Sequence, residues 1–84
     1  MKTVTLYSRR NCGLCHAALD VIEQVRKKHE FELRQVDIDR DMDPKDPRRS
    51  GFAIGIPVVE IDGRVVFEHV VDESELARLV TEAK

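Results

Sequence analysis

The chain has no apolar run approaching the ~18–20 residues that a membrane-spanning helix needs. Its first residues, Met1 to Tyr7, read as a strand and pass straight into Arg9-Arg10, without the apolar stretch of a secretory leader. The expected compartment is therefore the cytoplasm, with no membrane partner. An excess of one charge is missing as well. Acids and bases are interspersed and the formal net charge is −2, which argues against nucleic acid or an anionic membrane surface as the main partner. Internal repeats, linkers and low-complexity segments are absent. What remains is a chain of 84 residues, 42% hydrophobic and 36% charged, a composition that suits one small globular domain over residues 1–84. No long exposed apolar stretch calls for a dimer, so a monomer is expected.

Cysteine is scarce, and its placement is informative. The only two are Cys12 and Cys15, in the run Cys12-Gly13-Leu14-Cys15. A staple between such close neighbours closes a tiny loop and restrains the unfolded chain little. In a compartment where thiols are kept reduced, a pair of this kind points to a transient, working disulfide.

The order of elements places that pair. Lys2–Tyr7 alternates, with Val4 and Leu6 on one face, and reads as a strand. Ser8–Asn11 breaks the pattern. A helix is expected from Asn11 or Cys12, with Asn11 a suitable N-cap. Cys15, Ala18, Leu19, Ile22 and Val25 form its apolar stripe, widened by Ala17 and Val21. Lys27 and Lys28 would lie in its last turn and His29 at its end. Phe31–Ile38 alternates again, with Phe31, Leu33 and either Val36 or Ile38 inward and an irregularity near Gln35. This makes a parallel βαβ unit with a right-handed crossover.

Pro44 and Pro47 exclude one long helix through the next region. A short helix from about Pro44 or Asp46 to Phe52 is expected, with Gly51 and Gly55 marking its end and the following turn. Pro57–Ile61, Asp62-Gly63 and Arg64–Glu68 read as a hairpin with a type I′ turn. Val58, Ile61, Val65 and Phe67 are expected core. Asp72 caps a final helix, with Glu75 three residues on and Leu76, Leu79, Val80 and Ala83 as its inner stripe. The order β-α-β-α-β-β-α implies an α/β fold, a four-stranded mixed sheet flanked by helices.

Cys12 thus falls where the first strand hands over to the first helix. Unpaired N–H groups and the positive end of the helix dipole meet there. A thiolate in that setting is stabilised, so its pKa falls below the free value of about 8.5. Arg9 and Arg10 add positive field. Cys15 lies one turn further on, toward the buried side, and should be more protonated. Cys12 is then the attacking sulfur and Cys15 the resolving one. Gly13 and Leu14 set the geometry and solvation of the thiolate.

A strand, Cys12-Gly13-Leu14-Cys15, a helix, Ile56-Pro57 opening a strand and Asp62-Gly63 in a hairpin resemble a glutaredoxin over nearly the whole chain. The Gly-Leu centre resembles a subgroup of short glutaredoxin-like proteins. The resemblance implies a thioredoxin fold and a thiol–disulfide oxidoreductase. It implies a cis peptide at Pro57 beside the cysteines, and an Ile56 backbone that pairs with a bound peptide or glutathione. It also implies substrates that are protein or small-molecule disulfides. Electrons would come from glutathione, as co-substrate, or from a thioredoxin-reductase-type donor, with no tightly bound cofactor. Gly13-Leu14 departs from the usual Pro-Tyr centre. Phe67-Glu68 stands roughly where the family has a Gly-Gly pair near glutathione, and Asp72 matches a following acid only with shifted spacing. Arg9 or Arg10 would replace the family's basic residue near the first cysteine.

Other chemistries fit less well. Cys12-Gly13-Leu14-Cys15-His16 spells a c-type haem attachment motif, but that needs export, and Met42 is the only methionine besides the first available as an axial ligand. A zinc or iron–sulfur module, or an adaptor without turnover, is the alternative built on the same cysteines. With His16 or His69 as further ligands and no second Cys-x-x-Cys, the donor set is incomplete. Asp37, Asp39, Asp41 and Asp43 lack the glycine and glutamate of a calcium loop. Lys45 with Arg48-Arg49 reads as a solvated basic face. His16 either raises the thiolate fraction or simply faces solvent, His69 is expected at the surface, and Tyr7 either flanks the cysteines or closes the edge of the core.

Overall fold

The computed structural model describes residues 1–82; Ala83, expected on the inner stripe of the last helix, lies outside them. The elements run β1 (Thr3–Ser8), α1 (Gly13–Arg26), β2 (Glu32–Asp37), α2 (Pro47–Gly55), β3 (Val58–Ile61), β4 (Arg64–Glu68) and α3 (Glu73–Thr81). The sheet order is β2-β1-β3-β4, with β1 and β2 parallel and the other two pairings antiparallel. At the hairpin tip Asp62 and Gly63 have φ of 51° and 88°, the positive values a type I′ turn requires and the reason a glycine stands at its second position.

The sheet buries side chains on both faces. Val4, Leu6, Phe31, Val59 and Ile61 meet Ala18, Ile22 and Val25 of α1 and Leu76 and Val80 of α3 in the larger cluster. Tyr7, Ile38, Met42 and Val58 form a smaller cluster, against which Val36, Phe52, Ala53 and Ile56 pack. The two clusters explain β2. Its register against β1 is unbroken from Thr3 opposite Glu32 to Ser8 opposite Asp37, so the irregularity expected near Gln35 is not there. Phe31 and Leu33 belong to the first cluster, whereas both Val36 and Ile38 belong to the second. What resembled a break in alternation is a change in which face is covered.

Other expectations shift. Helix α1 ends at Arg26 with Lys27 as its C-cap, three residues before His29. Lys28 and His29 both donate to the Val25 carbonyl, a tight turn that leads the chain toward buried Phe31. Helix α2 starts on Pro47, capped by the Asp46 carboxylate, and continues past Phe52 to Gly55 with Gly51 inside it. At Gly55 a Cβ would sit 3.3 Å from the Glu68 carboxylate, a tight contact that the exposed Glu68 side chain could relieve by a small shift. Val65 is 43% exposed rather than core. A bulge between Val59 and Glu60 leaves Val65 opposite Glu60 and Phe67 opposite Val59. Val65 therefore shares Glu60's face, whose packed cluster lies with Tyr7 and Val58 rather than at the hairpin. Asp72 does cap α3, its carboxylate accepting the Glu75 N–H at 3.1 Å, but the Glu75 carboxylate turns to Arg78 instead of closing the reciprocal half of the box.

Tyr7 closes the second cluster. Its hydroxyl donates to Glu60 Oε1 at 2.8 Å, and its ring lies 4.5 Å from that of Phe52. Glu60 is itself buried, and alternation through Val58–Ile61 could have flagged it as an inward acid in need of a donor. Burial, then the bond to Glu60 and that residue's negative charge, hold the Tyr7 phenol above its ordinary pKa. The folded chain thus keeps this proton where the unfolded chain loses it. The stabilisation is complete below about pH 10 and lost as pH rises through the folded value. Replacing Tyr7 by Phe should cost about 1–3 kcal/mol near neutral pH by leaving a buried carboxylate without its donor. Urea unfolding across the alkaline range should show the gap between variant and wild type narrowing above about pH 10.

Candidate active site

Strand register gathers the candidate residues at one end of the sheet. Tyr7 of β1 pairs with Val58 of β3, and Val58 with Glu68 of β4. The segments just beyond those pairs (Ser8–Cys12, Ile56-Pro57 and His69–Val71) therefore leave the sheet at the same edge. Ser8 opposite Asp37 brings the chain after β2 there too.

Cys12, rather than Asn11, is the N-cap of α1. Its sulfur accepts the Cys15 N–H at 3.1 Å, and its carbonyl accepts the His16 N–H at 3.2 Å. Asn11 has a φ of 57°; asparagine tolerates that left-handed conformation better than most residues. It turns the chain ahead of the cap. The two cysteines are joined as a disulfide, with Cα atoms 5.2 Å apart, inside the usual range. Cys12 is half-buried, whereas Cys15 is 6% exposed at the head of the buried stripe of α1. Gly13 is exposed, and so is Leu14 at 51%. The Ile56-Pro57 peptide is cis; Ile56 is half-buried and Pro57 fully buried.

The arginines separate. Arg9 makes a two-point contact with Asp39 (Nε 3.0 Å, Nη2 2.9 Å), and Arg49 donates to the same carboxylate at 2.7 Å and to the Ile38 carbonyl at 3.0 Å. Asp39 is held below the usual carboxylate range, chiefly by the Arg9 hydrogen bond. This network ties the chain between β1 and α1 to the start of the β2–α2 connection and to α2. Sequence reading missed it, although the opposite charges of Arg9 and Asp39 sit just past paired strand ends. Arg10 is exposed and lines an open depression with Asp37, Asp39 and Arg40, without an ion-pair partner among the described residues. His16 is exposed on α1, and Tyr7 belongs to the core.

His69 is exposed, as expected, but its backbone has a role that the sequence did not signal. It has a φ of 69°, and its N–H points at the carbonyls of both Gly55 and Pro57, at 3.1 and 2.9 Å. The loop after β4 is thereby fastened to the cis-proline turn. Phe67-Glu68, set against the family's Gly-Gly pair in the sequence, are strand residues, and the left-handed residue that follows them is His69. Among the described residues, no group of three or more His, Cys, Asp or Glu side chains is arranged to hold a metal ion, and no helix is long and apolar enough to cross a membrane.

A mixed sheet ordered β2-β1-β3-β4, a Cys-x-x-Cys disulfide capping the first helix and a cis-proline opening the third strand define a thioredoxin-fold protein. Within that class the chain belongs to the glutaredoxin-like domain family (DUF836), which matches residues 3–81. A curated glutaredoxin-like protein of Dictyostelium discoideum, named as a YDR286C homolog, is 27% identical over 77 residues, covering 87% of this chain and 69% of that protein. A structural-genomics target from X. campestris superposes with a TM-score of 0.73 at 27% identity, over 96% of this chain and 99% of the other. Chloroplastic thioredoxin z shares the fold, at a TM-score of 0.71 and 17% identity over 95% and 75% of the two chains.

Proposed function

We propose that the chain is a cytoplasmic thiol–disulfide oxidoreductase that reduces disulfides by a two-cysteine mechanism. In the reduced protein the Cys12 thiolate attacks one sulfur of a substrate disulfide. A Cys12–substrate bond forms, the substrate S–S bond breaks and the first substrate thiolate leaves. The Cys15 thiolate then attacks Cys12, releases the second substrate thiol and leaves the Cys12–Cys15 disulfide. Two electrons have passed to the substrate. A thiol or flavoenzyme donor, glutathione or a thioredoxin-reductase-type protein, returns them.

The reading rests on one observation: the two sulfurs are bonded to each other, yet only Cys12 stands at the helix start with access to solvent. The N–H of Cys15 that meets the Cys12 sulfur would stabilise a negative charge there, as would the helix dipole. Gly13 follows Cys12 and is exposed, with open space where a side chain would stand. Ile56 would offer its backbone to the extended substrate, with Pro57 removing a competing N–H. Arg10 is the arginine with charge to spare for an anionic partner, since Arg9 is spoken for by Asp39.

Reduced protein given limiting iodoacetamide near neutral pH should be alkylated at Cys12 well before Cys15, as read by peptide mass spectrometry. Equal labelling would refute the division of labour. Following turnover of 2-hydroxyethyl disulfide with glutathione plus glutathione reductase, against NADPH plus thioredoxin reductase, assigns the donor. Turnover with neither refutes the reductase.

A further inference from the structure

Beside the cysteine pair lies a small apolar depression. Its walls are Leu14, Ala17 and Val21 of α1 and His69, Val70 and Val71 of the loop after β4, with Ala18 also lining it. The volume is about 100 Å³, well below the ~300–1,000 Å³ typical of sites for whole small molecules. Two wall residues are unusually exposed for their type, Leu14 at 51% and Val70 at 69%. Ala17 was expected to widen the buried stripe, and it is exposed instead. An exposed aliphatic group is ordinary when isolated. Here they converge on one hollow, and one of them stands between the two cysteines.

The loop wall is held in place. The His69 N–H is anchored on the Gly55 and Pro57 carbonyls, and Val71 is 6% exposed within the main core. The hollow is therefore fixed relative to both the cis-proline turn and the cysteine pair. Its lining holds no lysine, arginine, aspartate or glutamate; Arg9 is engaged by Asp39, and Arg10, the arginine with charge to spare, lines the separate depression with Asp37, Asp39 and Arg40. A tripeptide thiol with two carboxylates and an ammonium finds no complementary charge there, whereas one aliphatic side chain finds both the size and the polarity it needs.

We propose that the preferred substrates are polypeptide disulfides with an aliphatic residue next to the reactive cysteine, whose side chain seats in this hollow while the sulfur meets Cys12. The proposal rests on the dithiol reading above and adds the substrate class to it. The neighbour of a cysteine is the side chain within reach, because Leu14 belongs both to the Cys-x-x-Cys run and to the hollow.

The test compares disulfide-linked peptides that are identical except for Leu or Gly beside the cysteine, on its N-terminal and then its C-terminal side. The readout is the ratio of kcat/KM for Leu over Gly, in which general losses of activity cancel. The wild type should favour Leu about tenfold or more on one side. V70D and L14D should each bring that ratio close to one. Both are exposed positions, so folding is not at stake, and circular dichroism verifies it. A wild-type ratio near one on both sides overturns the proposal while leaving the reductase intact. So does a preference that survives both variants, or glutathione disulfide outpacing the Leu peptides. If no disulfide is reduced at all, the parent reading falls and takes this one with it.

Discussion

Serine in place of Cys12 should reduce disulfide exchange to the uncatalysed background, whereas serine in place of Cys15 should preserve the first half of the cycle and stall the second. The asymmetry follows from position. The Cys12 sulfur is the helix cap and the solvent-accessible member of the pair; a hydroxyl there has neither the acidity nor the polarisability to attack a disulfide. The sulfur of Cys15 begins the buried stripe of α1 and has one reachable partner, Cys12 itself. Cys15→Ser should therefore accumulate a mixed disulfide with one substrate equivalent on Cys12. Intact-mass spectrometry under non-reducing conditions would display it, and dithiothreitol would reverse it. Full insulin or hydroxyethyl-disulfide reduction by Cys12→Ser would disprove the mechanism. Rapid multiple turnover by Cys15→Ser, with glutathione resolving the adduct, would replace the two-cysteine cycle by a one-cysteine cycle. Neither change should unfold the chain, because a three-residue separation gives the disulfide little loop entropy to remove.

Much of this arrangement was legible in the sequence because its signals are local. Asp62-Gly63 can serve few purposes other than a type I′ turn, and both residues adopt the positive φ it demands. Cys12 follows a strand and precedes a 3.6-residue stripe, which leaves it at a helix start. Asp72 before Glu73 gives a cap by the same logic, whereas the start of α2 was open between Pro44 and Asp46 in the sequence and is settled by the Asp46 cap on Pro47. What escaped depends on pairing across the chain. Val65 looked like core until the bulge and Glu60's face were known. The Arg9–Asp39–Arg49 network joins residues up to 40 positions apart, and nothing within any short window ties them. His69 had no local sign of its left-handed backbone, which the carbonyls of Gly55 and Pro57 help to hold. The hollow is the clearest case. Ala17 and Val21 were placed on a buried stripe, and only the path of the chain after β4 shows which part of that stripe stays open.

The largest loss of stability should come from Leu76→Ala. Leu76 is fully buried and lies in the first turn of α3, within the cluster that holds α3 to α1 and to the sheet. Truncation removes the transfer free energy of its methyl groups and leaves a void that a nine-residue helix cannot collapse to fill, for about 2–5 kcal/mol. A domain of this size has roughly 4–13 kcal/mol in total, so the variant stands near the edge of folding. The thermal midpoint should fall by roughly 10 °C or more. Val65→Ala is the control. At 43% exposed, on the sheet face away from α1 and α3, it should stay within about 0.5 kcal/mol of wild type. The pair also separates stability from chemistry. Val71 shares the Leu76 cluster and carries one wall of the hollow, so loosening α3 should blur peptide selectivity before it slows the reduction of a small, featureless disulfide. Guanidinium titration and the Leu-to-Gly ratio, measured on the same preparation, read the two effects side by side. An equal cost for Leu76→Ala and Val65→Ala would mean that α3 is not packed where the structure has it.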